Sequence, residues 1–278
     1  MMQWICFNGQ FLEAQQPVLT IDNGSFKWGD GLFETMKMVD EGVQLSNFHF
    51  ERLFFGLQLL KIDAGTVQQN TIIDQVISLA QKNRCEALAR IRLAVFRNEN
   101  NQASYSIEAT ALDETYTRYN EEGLKIGIYP FARKSVDAFS NLKTSSHLPY
   151  VMAGLYAKEQ GWDDALVLNS DNHICDSSRA NIFLVKGNDV YTPALNQGCV
   201  SGVMRRHVID LLESGKYNLH QHHITEEDLF EADELFLTNA LIGMKWVGSY
   251  KDKKYANDFS KMLAFNLGIS RYGGKGGK

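Results

Sequence analysis

Four short segments of this 278-residue chain combine residue types that can do chemistry. Asn141-Leu142-Lys143-Thr144-Ser145-Ser146 sets one lysine in a polar cluster ahead of a helix. Lys143 is a nucleophilic amine if partial burial lowers its pKa, and a solvated cation otherwise. Asp176-Ser177-Ser178-Arg179-Ala180-Asn181 precedes the apolar run Ile182-Phe183-Leu184-Val185. The carboxylate of Asp176 suits the protonated ring nitrogen of a cofactor, or an ordinary Asx or Ser turn. Ser201-Gly202-Val203-Met204 leads into a helix, whose free N–H groups and dipole make a seat for phosphate, as every helix start does. His49-Phe50-Glu51-Arg52-Leu53 lies on a helix, where Arg52 clamps a phosphate or pairs with a glutamate on the exposed face. Along the alternating strand 89–97, Arg90 and Arg92 share one side. They are open to a ligand carboxylate, to solvent or to an ion pair between subunits.

Elements of both kinds must position these residues. Trp4 to Phe7 and Phe11-Leu12 flank Asn8-Gly9, a tight-hairpin dipeptide. Leu32 to Val39 reads as a strand after the turn-rich stretch 22–31. Phe50, Leu53, Phe54, Leu57 and Leu60 fall at helical spacing, with Ser46 as N-cap. Ile72, Ile73, Val76, Ile77 and Ala80 mark a second helix, followed by strands at 89–96 and 105–112. The polar stretch 113–123 is the linker candidate, which predicts lobes at 1–118 and 119–278. Beyond it come a strand from Leu124, a helix from Pro149 to about Gln160, and strands at 165–168, 182–185 and 190–191. A helix after Gly202, a strand at 234–237 and a helix at 258–267 complete a mixed α+β pattern. His147, four residues after Lys143, reads as packing at the helix entry. The tail Arg271 to Lys278 is set aside as a loose end.

Composition bounds the partners. Hydrophobic residues make up 44% and the net charge is −5, so the chain has material for a core and no positive field to recruit nucleic acid. Cys6, Cys85, Cys175 and Cys199 lack zinc-ligand spacing and no metal is expected; they read as reduced thiols of a cytoplasmic protein. No apolar run of about 18 residues suggests a membrane span, and residues 1–11 lack the pattern of a secretory signal.

Taken in order, the segments resemble the class IV aminotransferases, pyridoxal-phosphate enzymes of fold type IV. That family includes branched-chain and D-amino acid aminotransferases and 4-amino-4-deoxychorismate lyase. The matching stretches are Phe26 to Thr35, His49-x-x-Arg52-Leu53, Leu142-Lys143, Asp176 to Phe183, Ser201 to Arg205 and Phe236 to Ala240. The resemblance implies two α/β lobes, with the cofactor in the cleft between them, and a homodimer. It implies that Lys143 carries pyridoxal 5'-phosphate and moves the proton, and that Arg52 binds the phosphate. The amides of Val203 and Met204 complete the phosphate site, with backbone N–H groups near Ala240 on another side. Asp176 falls opposite the pyridine nitrogen, Arg97 at a substrate carboxylate, and Phe33 at a position that faces substrate or belongs to the core. Three positions depart from the pattern. Asp176 stands where Glu is usual, Met204 where Thr is common, and Ala240 where transaminases often have Thr.

Phe236-Leu237-Thr238-Asn239-Ala240 and the compact length look more like 4-amino-4-deoxychorismate lyase. The substrate is then a carboxylate-bearing amine, and the products are 4-aminobenzoate and pyruvate. Arg90, Arg92 and Arg97 suit such a dianion. The alternative is a transaminase of branched-chain or D-amino acids with a 2-oxo acid acceptor. A third reading is a non-catalytic member that keeps the fold.

Overall fold

Asn8 and Gly9 take positive φ, 46° and 85°, and turn the chain tightly. Strands β1 (Trp4–Phe7) and β2 (Gln10–Glu13) therefore pair antiparallel. The computed structural model describes residues 2–215 and 217–269, so the tail from Arg271 lies outside the described residues. It divides into two units, Met1–Glu114 with Leu142–His147 and Thr115–Asn141 with Leu148–Lys278. Beside the single boundary expected near residue 118, the chain leaves the first unit at Glu114 and returns to it for the segment around Lys143.

In the first unit, the turn-rich stretch contains a short helix, α1 (Gly24–Trp28), which the side chain of Asn23 caps. Next come β3 (Gly31–Val39), β4 (Gly42–Val43), α2 (Ser46–Leu59), α3 (Gln69–Lys82), β5 (Leu88–Arg97) and β6 (Ala103–Ala111). The strands form one sheet in the order β2-β1-β6-β5-β3-β4. Leu32, Met36, Met38, Ile91 and Leu93 are buried with Phe50, Leu53 and Leu57 of α2 and Val76 and Leu79 of α3. Gly56 makes that packing possible, because a Cβ there would lie 2.6 Å from Leu32 Cδ1. Ser46 is not the N-cap. The hairpin-closing bond from Gln44 N–H to Lys37 O leaves one residue to turn into α2, so Leu45 caps it at φ 52° without a side-chain bond.

The second unit begins with β7 (Leu124–Lys134), α4 (Leu148–Glu159), β8 (Asp164–Asn169), β9 (Ile174–Ser177), β10 (Asn181–Lys186) and β11 (Asp189–Pro193). It continues with α5 (Val203–Glu213), β12 (Asn218–His222), α6 (Glu226–Glu231), β13 (Glu234–Asn239), β14 (Gly243–Tyr250), β15 (Lys253–Lys254) and α7 (Asp258–Asn266). The sheet order is β12-β11-β10-β13-β14-β7-β8-β9, with β15 beside β14. Residues of α5 and α7 pack on Phe183 and Phe236, while α4 packs on Ala165 and Val167. Leu229 of α6 and Ala232 just after it join Ile182, Leu184 and Leu235 in a further cluster. No helix among the described residues is long and apolar enough to cross a membrane.

Candidate active site

Lys143 is held by its backbone before its amine is considered. Phe33 N–H donates to Lys143 O at 2.9 Å and Ser145 N–H donates to Gly31 O at 2.9 Å. These bonds bracket an antiparallel bridge between Leu32 and Thr144, so the lysine segment runs along the edge of β3. The half-buried amine lies 4.5 Å from the centroid of the Phe33 ring. The guanidinium of Arg92 lies 5.1 Å from the same ring, and His147 meets it edge-on at 5.3 Å. His147 thus packs on Phe33 rather than serving only the entry to α4.

Alternation along β3 puts Phe33, Thr35 and Lys37 on the face away from Leu32, Met36 and Met38. In register, Arg90 of β5 stands opposite Lys37 and Arg92 opposite Thr35. Lys37, Arg90 and Arg92 therefore lie along the Phe33 face. Glu108 of β6 approaches Arg92 to 3.3 Å. Both partners are more than a third exposed, so solvent screening leaves that pair weak.

Arg97, which the resemblance places at a substrate carboxylate, has several partners within its own unit. Its guanidinium donates to Asp30 Oδ2 at 2.8 Å, Leu60 O at 2.9 Å and Lys61 O at 3.1 Å, and also to Asn101. Its N–H groups are committed to tying the end of α2 and the start of β3 to the end of β5.

Arg52 is oriented by Glu34, which lies in a matching stretch but was given no role of its own. Its Nε donates to Glu34 Oε1 at 2.8 Å and its Nη2 to Glu34 Oε2. His49 Nδ1 meets Glu34 Oε2 at 2.6 Å. Burial pushes the Glu34 carboxyl upward, but the Arg52 charge and the His49 and Arg52 hydrogen bonds outweigh it and bring its pKa to about 2. An ionised, buried Glu34 fixes one edge of the guanidinium, which limits how its other N–H groups can point.

In the second unit, Asp176 is not in a turn. It sits within β9 opposite Val167 of β8, and the turn to β10 follows it, closed by the bond from Ser177 N–H to Ala180 O. Asp176 accepts from Tyr150 Oη at 2.6 Å, Asn181 Nδ2 at 2.8 Å, Val200 N–H at 3.0 Å and Lys134 Nζ at 3.4 Å. Nothing in the sequence spacing marks Tyr150, Lys134 or Asn181 as its partners. Asn181 lay inside a recognised segment, but its contact depends on the β9–β10 turn.

Val200 leads to Gly202, the N-cap of α5, which makes no side-chain hydrogen bond. The helix start is therefore not capped by its own sequence, and the N–H groups of Val203 and Met204 face outward from the first turn. A Cβ on Gly202 would lie 1.9 Å from Asn181 Oδ1. The glycine thus admits the asparagine that links Asp176 to the start of α5. Met204 packs its side chain with the Phe183 and Phe236 cluster, leaving its backbone as the donor. Ala240 lies in the β13–β14 turn, which Asn239 closes by accepting from Leu241 N–H and Ile242 N–H, both at 2.9 Å. Asn239 also donates to Arg179 O at 3.1 Å, tying this turn to the one after Asp176.

Asn141, two residues before Lys143, donates to Leu195 O at 2.8 Å and Cys199 O at 2.6 Å and accepts from Ser201 N–H at 3.0 Å. It anchors the point at which the chain leaves the second unit. Within the second unit, the helix start that Gly202 leaves without a side-chain cap suits a phosphate, and a buried carboxylate with acceptor capacity left suits a protonated ring nitrogen. Within the first unit, the rigidly held Arg52 suits a phosphate as well.

Residues 31–250 match the family described as amino-transferase class IV. The chain is 27% identical over 254 residues to the aminodeoxychorismate lyase of Vibrio harveyi, covering 88% of this chain and 92% of that protein. The branched-chain aminotransferase of Thermoproteus uzoniensis, solved with norvaline, superimposes with a TM-score of 0.85 at 21% identity, covering 96% of this chain and 93% of that one. A branched-chain amino acid aminotransferase from T.th., solved with pyridoxamine 5'-phosphate, gives a TM-score of 0.83 at 17% identity, over 96% of this chain and 93% of that one.

Proposed function

Because the chain belongs to the class IV aminotransferase family and is a pyridoxal-phosphate enzyme of fold type IV, we propose that it is a 4-amino-4-deoxychorismate lyase. When bound, the cofactor supplies an electron-withdrawing ring that stabilises negative charge on the carbon bearing the substrate's amine. Lys143 Nζ would carry the cofactor until the substrate's amine takes its place, and the freed amine would then take the proton from that carbon. Loss of the enolpyruvyl group from the neighbouring carbon leaves an aromatic ring, so the products are 4-aminobenzoate and pyruvate. Arg52 and the N–H groups of Val203 and Met204 would hold the cofactor phosphate, with backbone N–H groups near Ala240 on another side, and Asp176 would hold the ring nitrogen.

The observation that carries the lyase reading is the cationic face beside Phe33. Lys37, Arg90 and Arg92 line the strand face on which Lys143 meets Phe33. A substrate with two carboxylates needs more than one cation, whereas a branched-chain amino acid has one carboxylate and an apolar side chain. Arg92 and Arg90 bind the substrate carboxylates and Phe33 packs against its ring. The similarity to the Vibrio harveyi lyase supports the same choice.

The test supplies the cofactor-loaded protein with 4-amino-4-deoxychorismate in one assay and amino acids with 2-oxoglutarate in another. Pyruvate and 4-aminobenzoate formed without an amino acceptor support the lyase; glutamate formed only with an amino donor replaces it with a transaminase. Arg92→Gln is expected to raise KM for the dianion by about tenfold, with kcat kept, because it removes a charged hydrogen-bond donor. An unchanged KM removes Arg92 from the substrate site. Loss of the bound-cofactor absorbance in Lys143→Ala separates a working enzyme from a non-catalytic member.

The same reading includes a cytoplasmic homodimer. The four cysteines are all unpaired and buried, as suits a reducing compartment. The exposed stripe Leu148, Val151, Met152 and Leu155 on α4 supplies an apolar contact for a second copy.

A further inference from the structure

Asp176 is 2% exposed, and its two oxygens are loaded unequally. Oδ2 takes the Tyr150 hydroxyl, the Val200 N–H and the Lys134 ammonium, whereas Oδ1 takes Asn181 Nδ2. A carboxylate oxygen offers about two lone pairs. Oδ2 is therefore saturated, and Oδ1 keeps room for one more donor.

Lys134 is the unusual partner. Its side chain is 11% exposed, and an ammonium is costly to bury unless a charge pairs with it. It lies on β7 opposite Asn169 of β8, just after an irregularity between Ile128 and Arg133, and reaches across β8 to β9. Its Nζ also lies 5.1 Å from the centroid of the Tyr150 ring.

We propose that Lys134 is a positioning residue that acts through Asp176 to set how firmly the cofactor's ring nitrogen holds its proton. The proposal rests on the reading that Asp176 faces that nitrogen. A pyridinium at Oδ1 and the ammonium at Oδ2 share one negative charge. The carboxylate therefore holds the ring proton less firmly than it would without Lys134.

The other groups around Asp176 keep their charge while this happens. The Tyr150 phenol on α4 is raised well above its usual range, by burial first and then by the Asp176 charge, so it remains a donor. Cys175 on β9 is pushed up by burial and then by Asp176, and Cys199, ahead of α5, is pushed up to about 12 by the same causes. Both stay neutral thiols. Arg205 on α5 directs its Nη2 to Pro193 O at 2.9 Å and Gln221 Oε1 at 2.7 Å, not to Asp176. Lys134, by contrast, hydrogen-bonds the carboxylate directly through its ammonium.

The experiment loads the protein with pyridoxal phosphate labelled with 15N in the ring and follows the 15N resonance across pH. In the wild type the ring proton is expected to be lost within the range where the protein stays folded. Lys134→Gln is expected to move that titration up by about one pH unit, a tenfold change; Lys134→Arg leaves it in place. Lys134→Met replaces the glutamine variant if that one does not fold. Asp176→Asn is expected to move the titration far down.

A lysine that only supports the fold changes stability without moving the ring resonance. An unmoved or lowered titration in Lys134→Gln, with a large fall in Asp176→Asn, overturns the proposal and leaves Asp176 in its role. An unmoved titration in Asp176→Asn overturns the reading of Asp176 and the proposal together. A ring protonated across the whole range in the wild type also overturns the proposal.

Discussion

Glu34 shows how a buried charge can be kept for the sake of its partner. It lies on the packed face of β3, where Leu32 and Met36 are its neighbours in the alternation. Arg52 and His49 bring its pKa down from 4.5 to about 2 despite burial. A carboxyl depressed in the folded state adds stability that is full above its unfolded pKa and is lost as pH falls through its folded pKa. Over the window from about 4.5 down to about 2, this is a contribution of about 3 kcal/mol. Glu34→Gln removes that contribution and leaves Arg52 without its counter-charge, which costs about 3–5 kcal/mol near neutral pH. Urea unfolding of both proteins between about pH 7 and about pH 3 checks this, because the variant should lose less stability across that range. Parallel curves would show that Glu34 is not the titrating group.

At the scale of elements, the start of α5 depends on one missing side chain. Gly202→Ala would drive a Cβ into Asn181, whose amide bonds both Asp176 and Val200 O. Overpacking of this kind costs about 1–3 kcal/mol. It should also weaken pyridoxal-phosphate binding, because the helix start and the Asp176 carboxylate are displaced together. Thermal unfolding of the cofactor-free protein and a cofactor titration measure the two effects; wild-type binding in Gly202→Ala would free the helix start from the assigned role.

Elements with clean periodicity were legible in the sequence: the hairpin at Asn8-Gly9, α2, α3, the alternating β5 and the helix near Pro149. Five strands, β4, β9, β12, β14 and β15, were not, and two of them show why. β14 carries Gly243, Lys245 and Gly248, which break the apolar pattern, although it is a central strand. β9 contains Asp176 and Ser177 yet is wholly buried, because side chains elsewhere satisfy them. Ser177 Oγ, for example, donates to Asp164 Oδ2 at 2.9 Å. Lys143 and Arg52 stood out through the order of the motifs. Glu34 lay in a matching stretch without its role showing, and Lys134 and Tyr150 gave no signal, since each matters through a partner distant in sequence. The partners of Arg97 were not legible for the same reason, since Asp30, Leu60 and Lys61 are distant from it in sequence.

At the scale of the whole molecule, α4 has apolar surface to spare. It buries Tyr150, Ala153 and Ala157 against its own unit, yet Leu148, Val151, Met152 and Leu155 remain 67%, 52%, 41% and 51% exposed. Their spacing of i, i+3, i+4 and i+7 makes a continuous stripe, so this helix is apolar on a second side. A monomer would leave that stripe in water, whereas a two-fold contact would bury it against its own copy. In such a contact a charge placed on the stripe enters from both copies and loses its hydration, so two acidic residues on each side suffice to oppose association. The wild type should therefore sediment as a dimer at micromolar concentration, and Val151→Glu combined with Leu155→Glu as a monomer with unchanged circular dichroism. The substituted residues already face solvent within the protomer, so the fold has little to lose from the change. A double variant that stays dimeric would move the contact to another surface, and a wild type that sediments as a monomer would remove the homodimer.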